Sequence, residues 1–330
     1  MKAVCIKGPQ ELIVADIPVP EPGPGEVLIR VKYCGICGSD LHLFHLGMPA
    51  GLVMGHELTG DIAACGPGVE NWRVGQAVAV NPIFHCNSCY YCRRGQFNRC
   101  LMSLTGPGLS ANGGMAEYML AKTYMLRILS GQTDYRSSAL IEPAAVALRA
   151  VNLADVSLGD TVLVTGAGPI GLLAASLAIL KGARVILVEK MKERRELVPR
   201  TENSLVIKPE EINSVFRETE AGVDAAIECS GTHGGFLSCF NSVRGGGVIV
   251  MAGIAITPFE FDPFKLTLKE IVVRGSYGYQ SEFEQAQTLI ERGILNVNPF
   301  ISREIDLEET NTAFKELSED NGMAKVLVSP

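Results

Sequence analysis

Residues 161–171 read TVLVTGAGPIG, and this stretch decides how the second half of the chain folds. An apolar strand runs directly into the pattern G-x-G-x-x-G, formed by Gly166, Gly168 and Gly171, and an apolar helix follows. Gly166 permits the tight turn, Gly168 admits a pyrophosphate to the backbone, and Gly171 lets helix and strand pack closely. The stretch therefore predicts a dinucleotide-binding Rossmann fold, with the pyrophosphate at the helix N-terminus.

Strand and helix patterns alternate after this motif, which indicates a parallel sheet covered by helices. Apolar runs predict strands at 184–189, 204–207, 223–231, 246–253 and 325–329. Helical patterns are predicted at 172–180, 209–220, 282–293 and 308–319. The first half differs: up to about Tyr124, short alternating apolar runs are broken by Pro- and Gly-rich turns, which predicts a β-rich domain.

Glu189 ends the strand that follows the glycine motif. An acidic side chain at this place accepts hydrogen bonds from both ribose hydroxyls of NAD and repels the additional phosphate of NADP. The position therefore favours NAD. The basic neighbours Lys190, Lys192, Arg194 and Arg195 keep NADP as the alternative.

Four cysteines lie in CNSCYYCRRGQFNRC at 86–100, with the spacing C-x2-C-x2-C-x7-C. Disulfides are typical of small secreted domains, whereas this chain has 330 residues and no apolar signal segment in MKAVCIKGPQ. Four thiolates surround Zn²⁺ tetrahedrally and leave no open position, so the run predicts a structural zinc site. The ligands are Cys86, Cys89, Cys92 and Cys100.

Composition sets limits on the partners of the chain. With 47% hydrophobic residues and a net charge of -7, the sequence resembles that of an ordinary two-domain enzyme. No basic run favours nucleic acid or an anionic membrane, and no apolar stretch of about 20 residues predicts a membrane span. We expect a cytoplasmic protein that acts on a small molecule.

A second group of metal-binding side chains is spread over three segments. Cys37, His56 and Glu142 offer sulfur, nitrogen and oxygen, a set that suits zinc with one position left open. Each also has an ordinary explanation, as a buried thiol, a hydrogen-bonded histidine and a helix N-terminal carboxylate. The hydrophobic periodicity of the sequence alone does not predict that these three residues share one site.

Seven motifs follow one another along the chain: CGICGSDLH (34–42), GHELTG (55–60), the four-cysteine lobe, GGMAEY (113–118), ALIEP (139–143), VLVTGAGPIG (162–171) and IECSG (227–231). In this order they resemble the zinc-dependent medium-chain alcohol dehydrogenases, most closely their sorbitol and polyol dehydrogenase branch. The resemblance covers essentially the whole chain. The glutamate in ALIEP is typical of the polyol and threonine dehydrogenase branches.

The resemblance implies an α/β fold: a GroES-like β-rich catalytic domain and a Rossmann domain. We expect the catalytic domain at 1–148, with the structural zinc lobe at 85–101, the NAD-binding domain at 149–278, and a return to the catalytic domain at 279–330. It also implies a homodimer or homotetramer, with subunits joined near 247–253 and 270–277.

The resemblance further implies two zinc ions per chain. Cys37 and His56 would bind the catalytic zinc with Glu57 or Glu142, either of which acts directly or through water. Asp40 would orient the ligand histidine from its far side. Ser39 and His42 would relay the alcohol proton to solvent.

On the coenzyme side, the resemblance implies contacts from the glycine motif, the adenosine-ribose site and the nicotinamide site. These contacts are Gly166, Gly168, Ile170, Gly171, Glu189, Arg194, Ala252, Gly253, Ile254, Tyr277 and Tyr279.

Two departures bear on the substrate. Sorbitol dehydrogenases carry a tyrosine where this chain has Leu43 and an arginine where it has Gly278. Each loss removes a hydrogen-bond donor, and a buried substrate hydroxyl left without a partner costs about 1–3 kcal/mol of binding free energy. Sorbitol is therefore disfavoured. Phe44, Leu46 and Met48 either line a more apolar pocket or pack against their own domain.

We therefore expect a hydride transfer between a secondary alcohol, such as a diol, polyol or cyclitol, and NAD. The alternatives are a threonine-type amino-alcohol dehydrogenase and a catalytically inactive nucleotide-binding relative. A third departure is Pro199, which stops the helix after Glu189 early and predicts an altered loop on the adenine side.

Overall fold

The computed structural model describes residues 1–102, 105–131, 134–319 and 321–330, and the chain divides into two compact units. Met1–Glu142 and Phe283–Pro330 form the first unit, and Pro143–Glu282 form the second. The boundaries expected from the sequence lie at 148 and 278. The first boundary falls inside helix α3 (Ile141–Leu153), so a continuous helix carries the chain from one unit into the other.

The second unit is built on a six-stranded parallel sheet with the order β10-β9-β8-β11-β12-β13. The order reverses direction between β8 and β11, as in doubly wound nucleotide-binding folds. This confirms the predicted Rossmann class. Its strands are β8 Thr161–Thr165, β9 Arg184–Val188, β10 Ser204–Ile207, β11 Val223–Glu228, β12 Val243–Met251 and β13 Val272–Gly275. Its helices are α4 Pro169–Leu180, α5 Lys192–Leu197, α6 Val215–Glu218, α7 His233–Ser242 and α8 Pro263–Leu268.

The central strands are nearly continuous apolar runs because helices cover both faces of a parallel sheet. Four of the five residues in both β8 and β9 are buried, and so is most of α4. Between β9 and β10, helix α5 ends at Leu197, two residues before Pro199.

The charged helix expected at 209–220 does not form as one element. Pro209–Ser214 is a 3-10 segment, and only Val215–Glu218 is α-helical. Few apolar side chains in this stretch can be buried, and helices in proteins depend on packing an apolar face. Val215 is buried, whereas Phe216 stays exposed.

The first unit is β-rich. In the described part of this unit the main sheet has seven strands, ordered β14-β15-β3-β4-β5-β7 with β6 paired to β3, and β1 and β2 form a separate antiparallel pair. The strands are β1 Lys2–Gly8, β2 Glu11–Asp16, β3 Glu26–Gly35, β4 Glu57–Cys65, β5 Ala77–Val80, β6 Tyr118–Lys122, β7 Leu126–Ile128, β14 Ile301–Ile305 and β15 Lys325–Val328. Its helices are α1 Gly38–Leu46, α2 Tyr135–Ser138, α9 Glu282–Glu291 and α10 Thr310–Ser318.

The C-terminal strand completes this sheet. β15 lies between β14 and β3, with Leu327 opposite Gly35, and Gly35 is in turn opposite Glu57 of β4. The residues of β15 therefore lie beside Gly35 and Glu57, where these three neighbouring strands begin or end. Among the described residues, no helix is both long and apolar enough to cross a membrane.

Candidate functional site

The four cysteines of the predicted structural site lie together in the first unit. The Sγ atoms of Cys86 and Cys92 are 3.9 Å apart, and those of Cys89 and Cys100 are 4.0 Å apart. Tetrahedral Zn²⁺ with bonds of about 2.3 Å holds its sulfur ligands about 3.8 Å apart. All ten cysteines of the chain are free thiols. The cluster therefore fits a closed four-thiolate metal site.

Backbone N–H groups near the cluster donate hydrogen bonds to two of these sulfur atoms. The Cys89 N–H donates to Cys86 Sγ, and the Met102 N–H donates to Cys100 Sγ. Hydrogen bonds from Ser88 and Cys89 lower the pKa of the Cys86 thiol to about 5. Hydrogen bonding to the thiolate favours the charged form, which is the metal-binding form.

A second group of possible ligands forms where α1 and β4 begin. Ligand atoms of Cys37, His56 and Glu57 lie within 4.8 Å of one another. Cys37 precedes the first residue of α1, His56 precedes β4, and Glu57 is the first residue of β4. Sulfur, nitrogen and oxygen from two adjacent segments thus converge, as in zinc sites that keep an open position.

Asp40 connects two members of this group. Its Oδ2 accepts the Cys37 N–H at 2.9 Å, and its Oδ1 lies 3.5 Å from His56 Nδ1. Both Asp40 Oδ1 and His56 Nδ1 are buried, and neither has a hydrogen-bond partner among the residues that the structure describes. Burial lowers the pKa of His56, but the charges of Asp40 and Cys37 outweigh it and raise that pKa well above its usual value. Because His56 Nδ1 faces the Asp40 carboxylate, the other ring nitrogen, Nε2, is the one left to bind a cation.

Lys325 was not singled out by the sequence reasoning, yet it contacts the ligand group directly. Its Nζ donates to Glu57 Oε1 at 2.7 Å, to Glu57 Oε2 at 2.5 Å and to the Ile36 carbonyl at 2.8 Å. Both side chains are 1% exposed. Burial lowers the pKa of Lys325, but the charges of Glu57 and Cys37 raise it above the usual lysine value. The only sequence signal is a lysine in the otherwise apolar strand KVLV.

Glu142 lies in the first turn of α3 and is buried. It is not a member of the 4.8 Å group. Burial, together with the charges of Glu57 and Asp40, raises its pKa to about 7 against the opposing effects of His56 and Lys325. A buried carboxyl poised near neutrality beside possible metal ligands is typical of functional sites.

The remaining residues of this region lie on α1. Ser39 and His42 are half-buried, so both have access to solvent. Leu43 packs against the core of the first unit. Phe44 is fully buried and contacts Phe314 with ring centroids 5.3 Å apart. Phe44 therefore belongs to the core, whereas Leu46 and Met48 are exposed.

The glycine motif of the second unit has the geometry that a pyrophosphate requires. Gly166 has a φ of 88°, in the left-handed region that favours glycine. A Cβ on Gly171 would lie 1.8 Å from the Gly166 carbonyl oxygen, whereas a Cβ on Gly168 would meet nothing within 4 Å. Gly168 caps α4 without a side chain, and Ile170 is half-buried in the first turn. The open space at Gly168 beside free N–H groups fits an anion.

Glu189 is positioned by the same loop. Its Oε2 accepts the Ala167 N–H at 2.6 Å, and its Oε1 accepts the Met191 N–H at 2.8 Å. The carboxylate is therefore fixed beside the glycine motif, and each oxygen retains a second lone pair. Arg194 lies on α5, half-buried.

The predicted nicotinamide-side residues follow strands β12 and β13. Ala252 and Gly253 are half-buried and Ile254 is exposed at the end of β12. Tyr277 is half-exposed, whereas Tyr279 is fully buried and offers no surface to a ligand. Between them Gly278 has a φ of 54°.

Comparison with known proteins supports the description of the first unit and that of the second unit. Residues 23–130 match the family model of the alcohol dehydrogenase GroES-like domain, and residues 169–292 match that of the zinc-binding dehydrogenase. The chain is 31% identical to (R,R)-butanediol dehydrogenase of Bacillus subtilis, with 100% of both chains covered. It is also 31% identical to sorbitol dehydrogenase of Halalkalibacterium halodurans, over 98% of this chain and 97% of that protein.

Solved structures agree over the full length. A protein from Sinorhizobium meliloti 1021, solved with NADP, has a TM-score of 0.93 and 31% identity, with 100% of this chain and 99% of that chain covered. An alcohol dehydrogenase from E. coli CFT073, complexed with NADH, has a TM-score of 0.93 and 28% identity at the same coverage.

Proposed function

Because the chain belongs to the zinc-dependent medium-chain polyol dehydrogenase family, we propose that it oxidises a secondary alcohol to a ketone with NAD, or catalyses the reverse reaction. The observation that carries this proposal is the coexistence of two metal-binding groups, one of four thiols and one of mixed donors, with a coenzyme-binding glycine motif. A catalytically inactive relative has no need of the mixed group.

We assign the closed site to Cys86, Cys89, Cys92 and Cys100. Cys37 and His56 would hold the second zinc with Glu57 or Glu142, and Asp40 would fix the orientation of His56. When bound, this zinc supplies Lewis-acid polarisation of the substrate oxygen, and the nicotinamide accepts the hydride. Lys325 balances the charge of Glu57, so the protein does not gather uncompensated negative charge at the site.

The alcohol must lose its proton, and the protein needs a path for it. Ser39 and His42 lie on one helix directly after Cys37, and both have access to solvent. An imidazole can both accept and donate a proton, so His42 is suited to pass a proton from the Ser39 hydroxyl to water.

For the coenzyme we propose contacts at Gly166, Gly168, Ile170, Gly171, Glu189, Arg194, Ala252, Gly253, Ile254 and Tyr277. The fixed Glu189 carboxylate supports NAD, since a ribose phosphate would face its negative charge. NADP stays the second candidate because Arg194 and Arg195 lie on the next helix and because one structural relative was solved with NADP.

For the substrate we propose a short diol or another compact secondary alcohol. Leu43 supplies no hydrogen bond, and the left-handed φ of Gly278 disfavours any larger residue there. Both features argue against a long polyol that needs many donors. Threonine-type amino alcohols are the second candidate, since that branch shares the Glu142 motif.

We further propose a cytoplasmic homodimer or homotetramer. β13 is an edge strand of the six-stranded sheet, and its Val272 and Val273 are exposed. An exposed apolar edge strand is a template for pairing with a second chain. A purely monomeric protein in sedimentation would contradict the assembly but not the enzyme.

The test is a coenzyme-coupled screen on protein of measured zinc content. We expect about two zinc ions per chain, reduction of NAD with 2,3-butanediol or a related secondary alcohol, and weaker activity with NADP, sorbitol and threonine. Activity with threonine above all diols would favour the amino-alcohol alternative. Absence of turnover with every alcohol and ketone, in zinc-replete protein, would overturn the proposal.

Two glycine substitutions separate folding from coenzyme binding. Gly168→Ala places a methyl group in open space, so we expect a normal melting temperature but at least about tenfold weaker NADH binding, because the methyl blocks the pyrophosphate. Gly171→Ala creates a clash with the Gly166 carbonyl and is expected to lower the melting temperature as well. Calorimetry and NADH fluorescence titration measure both effects. Unchanged NADH affinity in Gly168→Ala would refute the assigned pyrophosphate site.

A further inference from the structure

Glu228 occupies a special place in the second unit. It is the last residue of β11, it is 0% exposed, and it lies in register with Thr165, the last residue of β8. The sheet order reverses between β8 and β11. In open parallel sheets, ligands bind outside the carboxyl ends of the strands at this reversal. A buried carboxylate thus lies directly beneath the expected coenzyme site.

The carboxylate is satisfied by the loop that follows its own strand. Glu228 Oε1 accepts the Ser230 N–H at 2.7 Å, the Gly231 N–H at 3.0 Å and the Ser230 hydroxyl. Oε2 accepts the Gly231 N–H at 3.2 Å. Charge-assisted hydrogen bonds of this kind are about twice as strong as neutral ones. They hold the loop after β11 in one conformation.

The loop after β12 is held by the same residue. The main-chain carbonyl of Glu228 accepts the N–H groups of Ala252 and Gly253 at 2.9 and 2.8 Å. A Cβ on Gly253 would lie 2.6 Å from Glu228 Oε2, and a Cβ on Gly231 would lie 2.5 Å from the Ile254 carbonyl oxygen. The two loops therefore pack against each other and the carboxylate without spare room.

The glycine motif also contacts this arrangement. A Cβ on Gly166 would lie 3.0 Å from Ser230 Cα, and the Cys229 N–H donates to the Thr165 carbonyl at 2.9 Å. The ends of β8, β11 and β12, which are neighbours in the sheet, thus contact one another around Glu228.

We propose that Glu228 is a positioning residue for the nicotinamide half of the coenzyme. Each half of a doubly wound sheet takes one mononucleotide. Gly168 and Glu189 follow β8 and β9, which assigns the adenosine to that half and the nicotinamide mononucleotide to the half containing β11 and β12. Glu228 fixes the loops that carry the second half of the site. The inference rests on the proposed coenzyme-dependent function.

The two acceptor oxygens of a carboxylate explain why residue 228 is a glutamate and not a glutamine of the same shape. An amide in its place would have one oxygen to accept the Ser230 and Gly231 N–H groups, and its NH₂ group would face the Gly231 N–H that Oε2 now accepts. Two donors would then face each other, and the loop would have to move.

The test compares two ligands on the zinc-replete Glu228→Gln protein. NADH contains both halves of the coenzyme, whereas ADP-ribose lacks the nicotinamide. We expect the NADH dissociation constant to rise about tenfold, equivalent to about 1.4 kcal/mol, while that of ADP-ribose changes less than about twofold. NADPH and the 2′-phosphorylated ADP-ribose replace the pair if the wild-type protein prefers NADP.

Asp224→Asn is the matched control. Asp224 lies at the other end of β11, where it accepts the Thr161 N–H at 2.8 Å and pairs with Arg244 at 2.7 Å. Its loss is expected to lower the melting temperature without changing either dissociation constant.

The outcomes are distinct. Equal weakening of both ligands in Glu228→Gln, or unchanged NADH binding, overturns the inference and leaves the proposed function intact. A wild-type protein that binds neither NADH nor NADPH overturns both. Should Glu228→Gln fail to fold, Ser230→Ala removes a single donor and is expected to weaken NADH about threefold with ADP-ribose unchanged. Unchanged NADH binding in that variant overturns the inference equally.

Discussion

Cys37→Ser is expected to abolish dehydrogenase activity and to reduce the zinc content from about two ions per chain to about one. A serine hydroxyl is a far poorer zinc ligand than a thiolate, and Cys37 is the sulfur donor of the group that also contains His56 and Glu57. The metal contributes several kcal/mol of transition-state stabilisation, so kcat/KM should fall by about three orders of magnitude or more. Atomic absorption and the coenzyme-coupled assay measure the two effects on one sample.

Cys65→Ser is the control for this substitution. Cys65 is a half-buried thiol on β4 that donates to the Trp72 carbonyl, and it belongs to neither metal-binding group. We expect it to retain both zinc ions and near-normal turnover. A Cys37→Ser protein that keeps the same metal content and activity as Cys65→Ser would show that Cys37 is not a ligand.

Lys325→Met is expected to cause the largest loss of stability. It removes one partner of an ion pair whose two side chains are each 1% exposed, and it leaves the Glu57 carboxylate buried without its cation. Removing one member of such a pair costs about 3–5 kcal/mol of the free energy of unfolding. Urea unfolding, followed by intrinsic fluorescence of the zinc-replete protein, measures the difference.

Two comparisons make this prediction specific. Lys122→Met removes an ion pair with Glu26 in the same unit whose two side chains are both partly exposed, and it should cost less than about 1 kcal/mol. The double variant Lys325→Met, Glu57→Gln removes the orphaned charge and should recover part of the loss. If Lys325→Met lowered the free energy of unfolding no more than Lys122→Met does, the buried pair would not stabilise the fold.

The sequence predicts those features that depend on neighbouring residues. Apolar runs identify β8, β9, β11 and β12, because a strand covered by helices on both faces must be apolar. The glycine motif and the four cysteines each lie within a stretch of at most about fifteen residues, so nearby positions in the chain determine their geometry. Fold class and the closed metal site therefore follow from short stretches of chain.

Other features depend on partners that are remote in sequence. Lys325 and Glu57 are 268 residues apart, and no local pattern pairs them. Glu228 resembles an ordinary strand end until the loops of three strands are seen around it. For Phe44 the sequence leaves a pocket and the domain core as alternatives, and its packing against Phe314, which is remote in sequence, places it in the core.

The position of β15 between β14 and β3 has a consequence for biosynthesis. Pro143–Glu282 is contiguous and can fold once it has left the ribosome, but the first unit lacks a strand of its sheet until Lys325–Val328 are made. Lys325, which pairs with Glu57, is synthesised only after the whole second unit. The nascent chain therefore exposes an unpaired edge of β3 and a Glu57 carboxylate without its lysine until β15 is made, so the charge-balanced group around Glu57 forms only after the second unit has been synthesised.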